Sequence, residues 1–130
     1  MIEINGWISI HITTDGEDNS EKYRNAIEKI DGIVQPLKGF NQFFKIEALN
    51  GFYTLFIGLN HNHDNGYNDL ILNLSNKVCN IAPGSYGILY IRNDEDKSNF
   101  NKFKVLKIAK GKVTIEEDRY ISPCNPVIED

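Results

Sequence analysis

The first thirteen residues, MIEINGWISIHIT, alternate between two kinds of side chain. Ile2, Ile4, Gly6, Ile8, Ile10 and Ile12 fall on one side, and Glu3, Asn5, Trp7, Ser9, His11 and Thr13 on the other. A period of two predicts a half-buried strand whose isoleucine face packs on the core. The next stretch, TTDGEDNS, is rich in turn residues and ends on Ser20, which is expected to cap a helix. Tyr23, Ala26, Ile27, Ile30, Ile33, Val34 and Leu37 then recur at helical spacing, predicting a helix over about residues 20–34. Gly32 weakens that helix by ~1 kcal/mol, and Pro36 must end it.

NQFFKIEAL and GFYTLFIGLNH read as two strands around Asn50-Gly51, a pair that favours a two-residue hairpin because both residues tolerate positive φ. From Tyr67 the pattern is helical again: Tyr67, Leu70, Ile71, Leu74, Val78 and Ile81 form one apolar stripe, ended by Pro83-Gly84. SYGILYIRN is a fourth strand, DEDKSN a loop, and FKVLKIAKGKVTIEE a hairpin around Lys110-Gly111. Residues 122–130, SPCNPVIED, hold two prolines and are expected to be an irregular tail. Gly87 reads as a close-packing position under a helix. The order β-α-β-β-α-β-β-β predicts an α+β fold, a mostly antiparallel sheet with both helices on one face. Its first six elements match the ferredoxin-like order, with the last hairpin as an extension. At 130 residues the chain is expected to be a single domain, 1–130.

Strand parity then sorts the second face of the sheet. With Leu55, Ile57, Leu59, Leu89 and Ile91 on the core side, Phe52, Thr54, Phe56, Tyr86, Ile88, Tyr90 and Arg92 point the other way, beside Trp7, Ser9 and His11. Aromatic residues mixed with Ser, Thr, His and Arg are the composition of an interface. Two outcomes stay open for that face: the C-terminal segment folds over it as a second small core, or Trp7, Tyr90 and Arg92 meet a partner.

Charge changes this picture modestly. The net charge is −4, from 18 acids and 14 bases, which lacks the basic footprint of a nucleic-acid-binding protein. Eleven of the 18 acids gather in four segments: Asp15, Glu17 and Asp18; Asp94, Glu95 and Asp96; Glu116, Glu117 and Asp118; Glu129 and Asp130. Strands paired as a meander would bring Asp94–Asp96 and Glu116–Asp118 to one rim, where like charges repel and a basic partner would relieve them. The chain opens directly on a strand pattern and has no apolar run near the roughly 20 residues that span a bilayer. Cys79 and Cys124 make no disulfide framework. These features together predict a cytoplasmic protein with two reduced thiols.

The candidate chemistry is thin. His61, His63 and Asp64 in LNHNHDNGYNDL could offer two or three ligands to zinc or iron. The only other histidine, His11, has strand parity that sets it on the opposite face from His61. The competing reading makes residues 60–66 a strand-to-helix loop, with Asp64 or Asn65 capping the second helix and Asn65-Gly66 forming the turn. That reading assigns no metal and no cofactor. There is no GxSxG elbow, no phosphate-binding glycine loop and no CxxC pair. PGSYG follows a helix and starts a strand, the reverse of what a phosphate loop needs. No catalytic residue is assigned.

Four blocks carry a family resemblance: Gly6-Trp7, the HNH of His61–His63, APGSYGILYIRNDED over 82–96, and GKVTIEEDRYISPCNPVIED over 111–130. They resemble the immunity protein 7 family of bacterial polymorphic toxin systems, over nearly the whole chain apart from residues 15–49. The resemblance implies a small cytoplasmic binding protein that neutralises a cognate toxin and is not an enzyme. It implies no set of toxin-contacting residues. On the residues alone, the partner surface is expected at Trp7, Tyr90, Arg92, Asp94, Glu95, Asp96, Glu116, Glu117 and Asp118. A small-molecule-binding regulatory domain of similar architecture is the rival, and a closed apolar pocket would favour it.

Overall fold

The computed structural model describes residues 1–14 and 19–129. Asp15, Glu17, Asp18 and Asp130, four of the clustered acids, lie outside them. The elements are β1 (Ile2–Ser9), α1 (Ser20–Val34), β2 (Gln42–Leu49), β3 (Phe52–His61), α2 (Tyr67–Ile81), β4 (Tyr86–Asn93), β5 (Phe103–Ala109) and β6 (Lys112–Glu117). The expected α+β fold is present: one six-stranded antiparallel sheet in the order β2-β3-β1-β4-β5-β6. Its β2-β3-β1-β4 part is the ferredoxin-like arrangement, with β1 central and each helix crossing over a neighbouring strand. β5 and β6 continue from β4 as a meander.

The isoleucine face of β1 decides where the core sits. Ile2, Ile4, Ile8 and Ile10 are fully buried against Ile30 and Val34 of α1, Ile71, Leu74 and Val78 of α2, and Leu55, Leu59 and Leu89 of the flanking strands. Each such side chain contributes about 1.5–3 kcal/mol by leaving water. α1 spans the expected residues, but its N-cap is Asn19 rather than Ser20. Its extended backbone lets Oδ1 accept from the backbone N–H of Glu21 (3.1 Å) and Lys22 (3.2 Å), two of the groups a helix start leaves unpaired. Beyond Val34 the chain tightens into a 3₁₀ turn, Gln35–Leu37, that accommodates Pro36. Asn50-Gly51 and Lys110-Gly111 both have positive φ, so both hairpins close through the tight turns their sequences specify.

Gly87 does pack closely, but against a strand rather than a helix. A Cβ there would lie 2.1 Å from the carbonyl oxygen of Trp7, and one on Gly6 would lie 2.1 Å from that of Ile88. The two glycines therefore allow β1 and β4 to approach on either side of Trp7. The C-terminal segment is irregular as expected but tied down: Cys124–Val127 close one tight turn in which Asn125 has non-helical backbone (φ −102°, ψ 111°). The Ile128 N–H closes it on the Cys124 carbonyl, and the Cys124 N–H is tied to the Asn101 carbonyl at 2.8 Å.

Candidate partner-binding face

The tail divides the second face of the sheet in two. It covers the end of β4 and β5 that holds Tyr90, Arg92 and Phe103. Asp118, the first residue past β6, organises the cover. Its carboxylate accepts from the backbone N–H of Tyr120 and Ile121, both at 2.9 Å, and from the Ser122 hydroxyl at 2.7 Å. Ser122 Oγ in turn accepts from the Phe103 N–H. Burial pushes the Asp118 carboxyl up, but the Tyr120 N–H, the Ser122 hydroxyl, the Ile121 N–H and the Tyr90 hydroxyl together outweigh it and hold the group below the ordinary aspartate range. The Tyr90 phenol is shifted upward, first by burial and then by the Asp118 charge.

Arg92 lies under the same cover, 7% exposed, with Nη2 on Glu129 Oε1 at 2.6 Å. Burial alone would lower its pKa, and the hydrogen bond to Glu129 with the nearby charges raises it instead. Its Nε has no hydrogen-bond partner among the described residues. Asp118 is 9% exposed. Of the nine residues expected at a partner surface, Arg92 and Asp118 are thus engaged in holding the tail, and Tyr90 is bound to Asp118 beneath it.

The other half of the face is uncovered by any described residue. Trp7 stands near its middle, 40% exposed, with Phe56 of β3 and Ile88 of β4 paired on either side. Tyr86 meets Trp7 edge to face at 6.1 Å. His11 stacks on Tyr86 at 5.4 Å and leans on Phe52 at 4.8 Å. Tyr86 thus links Trp7 to His11 and Phe52, and the β1 and β4 backbones approach closely beside it at Gly6 and Gly87. The C-terminal segment therefore covers the half of the face that holds Tyr90 and Arg92 and leaves the Trp7 half open.

The acidic rim is quieter than a row of like charges. β4 and β6 do end on the same side of the sheet, but the fold supplies hydrogen-bond and charged partners. Asp94 accepts from the Met1 ammonium at 2.6 Å, Glu95 from His63 at 2.7 Å, Asp96 from Lys104 at 2.9 Å, and Glu116 from Lys107 at 3.0 Å. The hydrogen bond from His63 lowers the Glu95 pKa, and those from Lys104 and Asn99 lower that of Asp96. The expected repulsion is therefore largely offset within the protein.

His61 and His63 diverge rather than converge. His61 Nε2 bonds Gln42 Oε1 at 2.8 Å, and its ring lies flat on Tyr67 at 4.1 Å. Gly66, rather than Asp64 or Asn65, is the N-cap residue of α2, and Asp64 supports the helix start from two residues before it: Oδ1 accepts from the Asn68 N–H at 2.9 Å, and Oδ2 from the Asn93 amide at 3.1 Å. Asn65 and Gly66 have positive φ and make the turn before α2. Among the described residues no three His, Cys, Asp or Glu side chains stand together as a metal site. Two small cavities among those residues hold about 20 and 30 Å³, room for a water molecule, and three open surface grooves hold about 400, 440 and 460 Å³. No helix among them is long and apolar enough to cross a membrane.

The model of one family, described as immunity protein 7, matches residues 1–130. No curated protein and no solved structure matches the chain.

Proposed function

The chain belongs to the immunity protein 7 family, and on that premise we propose that it is a non-catalytic inhibitor that binds and neutralises one cognate toxin domain in the bacterial cytoplasm. The observation that carries the reading is the uncovered half-face around Trp7. A large aromatic ring that already packs against Tyr86 at the surface loses little conformational freedom on binding, which is what a tight inhibitor needs. Glycines are costly inside strands, and two of them serve here to bring β1 and β4 together at this ring. Asp94, Glu95, Glu116 and Glu117 lie at the other end of the sheet, beside the tail, where their charge would steer a partner's approach. A nuclease toxin with a basic substrate cleft is the partner their charge suits best. Arg92, Asp118 and Tyr90 act in this reading by fixing the tail beside the surface.

Co-expression with the product of the adjacent toxin gene tests the proposal. The two proteins should co-purify as a stoichiometric complex, and cells carrying this chain should survive the toxin. Survival without a complex, or a complex without survival, would remove the proposal.

A further inference from the structure

We propose that the free edge of β2 pairs with the same edge of a second copy, making a symmetric dimer with one continuous twelve-stranded sheet. β2 is the outermost strand beside β3. It runs eight residues, contains no proline, and exposes Phe43 (55%) and Leu49 (52%). An edge of that length and apolarity is a template for another strand unless something guards it. β6, the opposite edge, is two residues shorter and exposes no aromatic side chain.

The backbone of β2 is presented for pairing. The two-residue turn at Asn50-Gly51, with φ of 54° and 85°, makes Leu49 and Phe52 a hydrogen-bonded pair. Counting back by twos, Glu47, Lys45 and Phe43 also bond to β3. The Asn60 N–H to Asn41 carbonyl bond at 3.0 Å continues the same series. The N–H and C=O groups of Phe44, Ile46 and Ala48 therefore point outward.

The side chains choose the register. A two-fold axis through Ile46 sets Phe43 against the partner's Leu49, and Lys45 against the partner's Glu47, each twice, on the open face. On the helix face it sets buried Phe44 against the partner's exposed Ala48, with the two Ile46 residues at the centre. Every outward N–H and C=O of Phe44, Ile46 and Ala48 then meets its complement. Lys45 and Glu47 already pair within one chain at 3.1 Å. In the dimer they form a four-charge ladder of alternating sign, an arrangement that favours facing strands. The order Phe-Lys-Glu-Leu at alternate positions is its own complement when reversed. That self-complementarity identifies the occupant as a second copy of this chain. The inference does not depend on the toxin reading.

Sedimentation velocity from about 1 µM to about 1 mM, the range in which small interfaces dissociate, tests it. The wild type should pass from monomer to dimer across that range. Ala48→Pro removes an outward N–H that the fold does not use, so circular dichroism should stay native while dimerisation weakens at least about tenfold. Lys45→Glu should weaken it similarly by facing like charges across the axis, and adding Glu47→Lys should restore it. A wild type that stays monomeric throughout overturns the proposal. So does a dimer unchanged by Lys45→Glu, which decides the matter if Ala48→Pro fails to fold. A monomer whose toxin binding is lost on Ala48→Pro would assign the edge to the toxin and likewise overturn it.

Discussion

Replacing Asp118 by alanine should release the C-terminal segment while leaving the sheet folded. The carboxylate accepts from two backbone N–H groups, from Ser122 and from Tyr90. Hydrogen bonds to a charged group contribute about 1.5–3 kcal/mol each when their donors are kept from water. In a released tail the two N–H groups regain water, so the net loss corresponds to about 3 kcal/mol rather than the full sum. Cys124 reports it, because it belongs to the tail and is fully buried while the tail is docked. Cys79 is also buried and should be replaced by alanine to isolate the signal. A loss of about 3 kcal/mol should raise Cys124 labelling by about a hundredfold. The pH dependence has a definite sign. The folded pKa of Asp118 is depressed, so its contribution is complete above the ordinary aspartate value of 3.8 and is lost as pH falls through the lower folded value. In the wild type, labelling with dithiodipyridine, which reacts at acid pH, should therefore stay slow from neutrality to about pH 4 and quicken below it. Labelling of Asp118→Ala at the wild-type rate would refute the assigned role.

Three further outcomes follow from the same geometry. Deleting residues 122–130 should lower stability yet leave Trp7 emission nearly unchanged, because the tail covers Tyr90 and Arg92 rather than Trp7; a large red shift on truncation would contradict the division of the face. Changing Asp94, Glu95, Glu116 and Glu117 to Asn or Gln should slow toxin association at low salt and flatten its salt dependence over a Debye length of ~8 Å, while the fold survives; stopped-flow rates equal to wild type would reduce the rim to solvation. His61→Ala with His63→Ala should leave metal content at background by elemental analysis, and Asp64→Ala should cost ~1 kcal/mol through the lost hydrogen bond to the first turn of α2; stoichiometric zinc in the wild type, lost in the double variant, would restore a metal site.

The framework was legible because its signals are local. The isoleucine alternation of β1, the stripes of α1 and α2, and the Asn50-Gly51 turn each need only neighbours in sequence, and they fix strand order and core together. The N-cap was missed by one residue because Asn19 and Ser20 both suit the position, and only backbone dihedrals choose between them. Gly87 was assigned to the wrong neighbour because a glycine signals close approach but not what approaches. The roles of the charges were least legible. Glu116, Glu117 and Asp118 read as one acidic run, yet the chain leaves the strand at Asp118 and turns its carboxylate inward. The partners of Asp94, Glu95 and Arg92 lie 93, 32 and 37 residues away in sequence, contacts that no local pattern encodes. His61 and His63 looked like a ligand pair because spacing shows proximity along the chain and not direction.

The central claim is that this protein holds its toxin through the Trp7 half-face. Isothermal titration of the cognate toxin domain with the wild type and with Trp7→Ala tests it most directly. The account predicts a saturable complex for the wild type and a loss of at least about thirtyfold in affinity for Trp7→Ala, the effect of a hot-spot aromatic contributing about 2 kcal/mol, with both proteins melting cooperatively. A wild type that does not bind, or a folded Trp7→Ala that binds as tightly as the wild type, would contradict it.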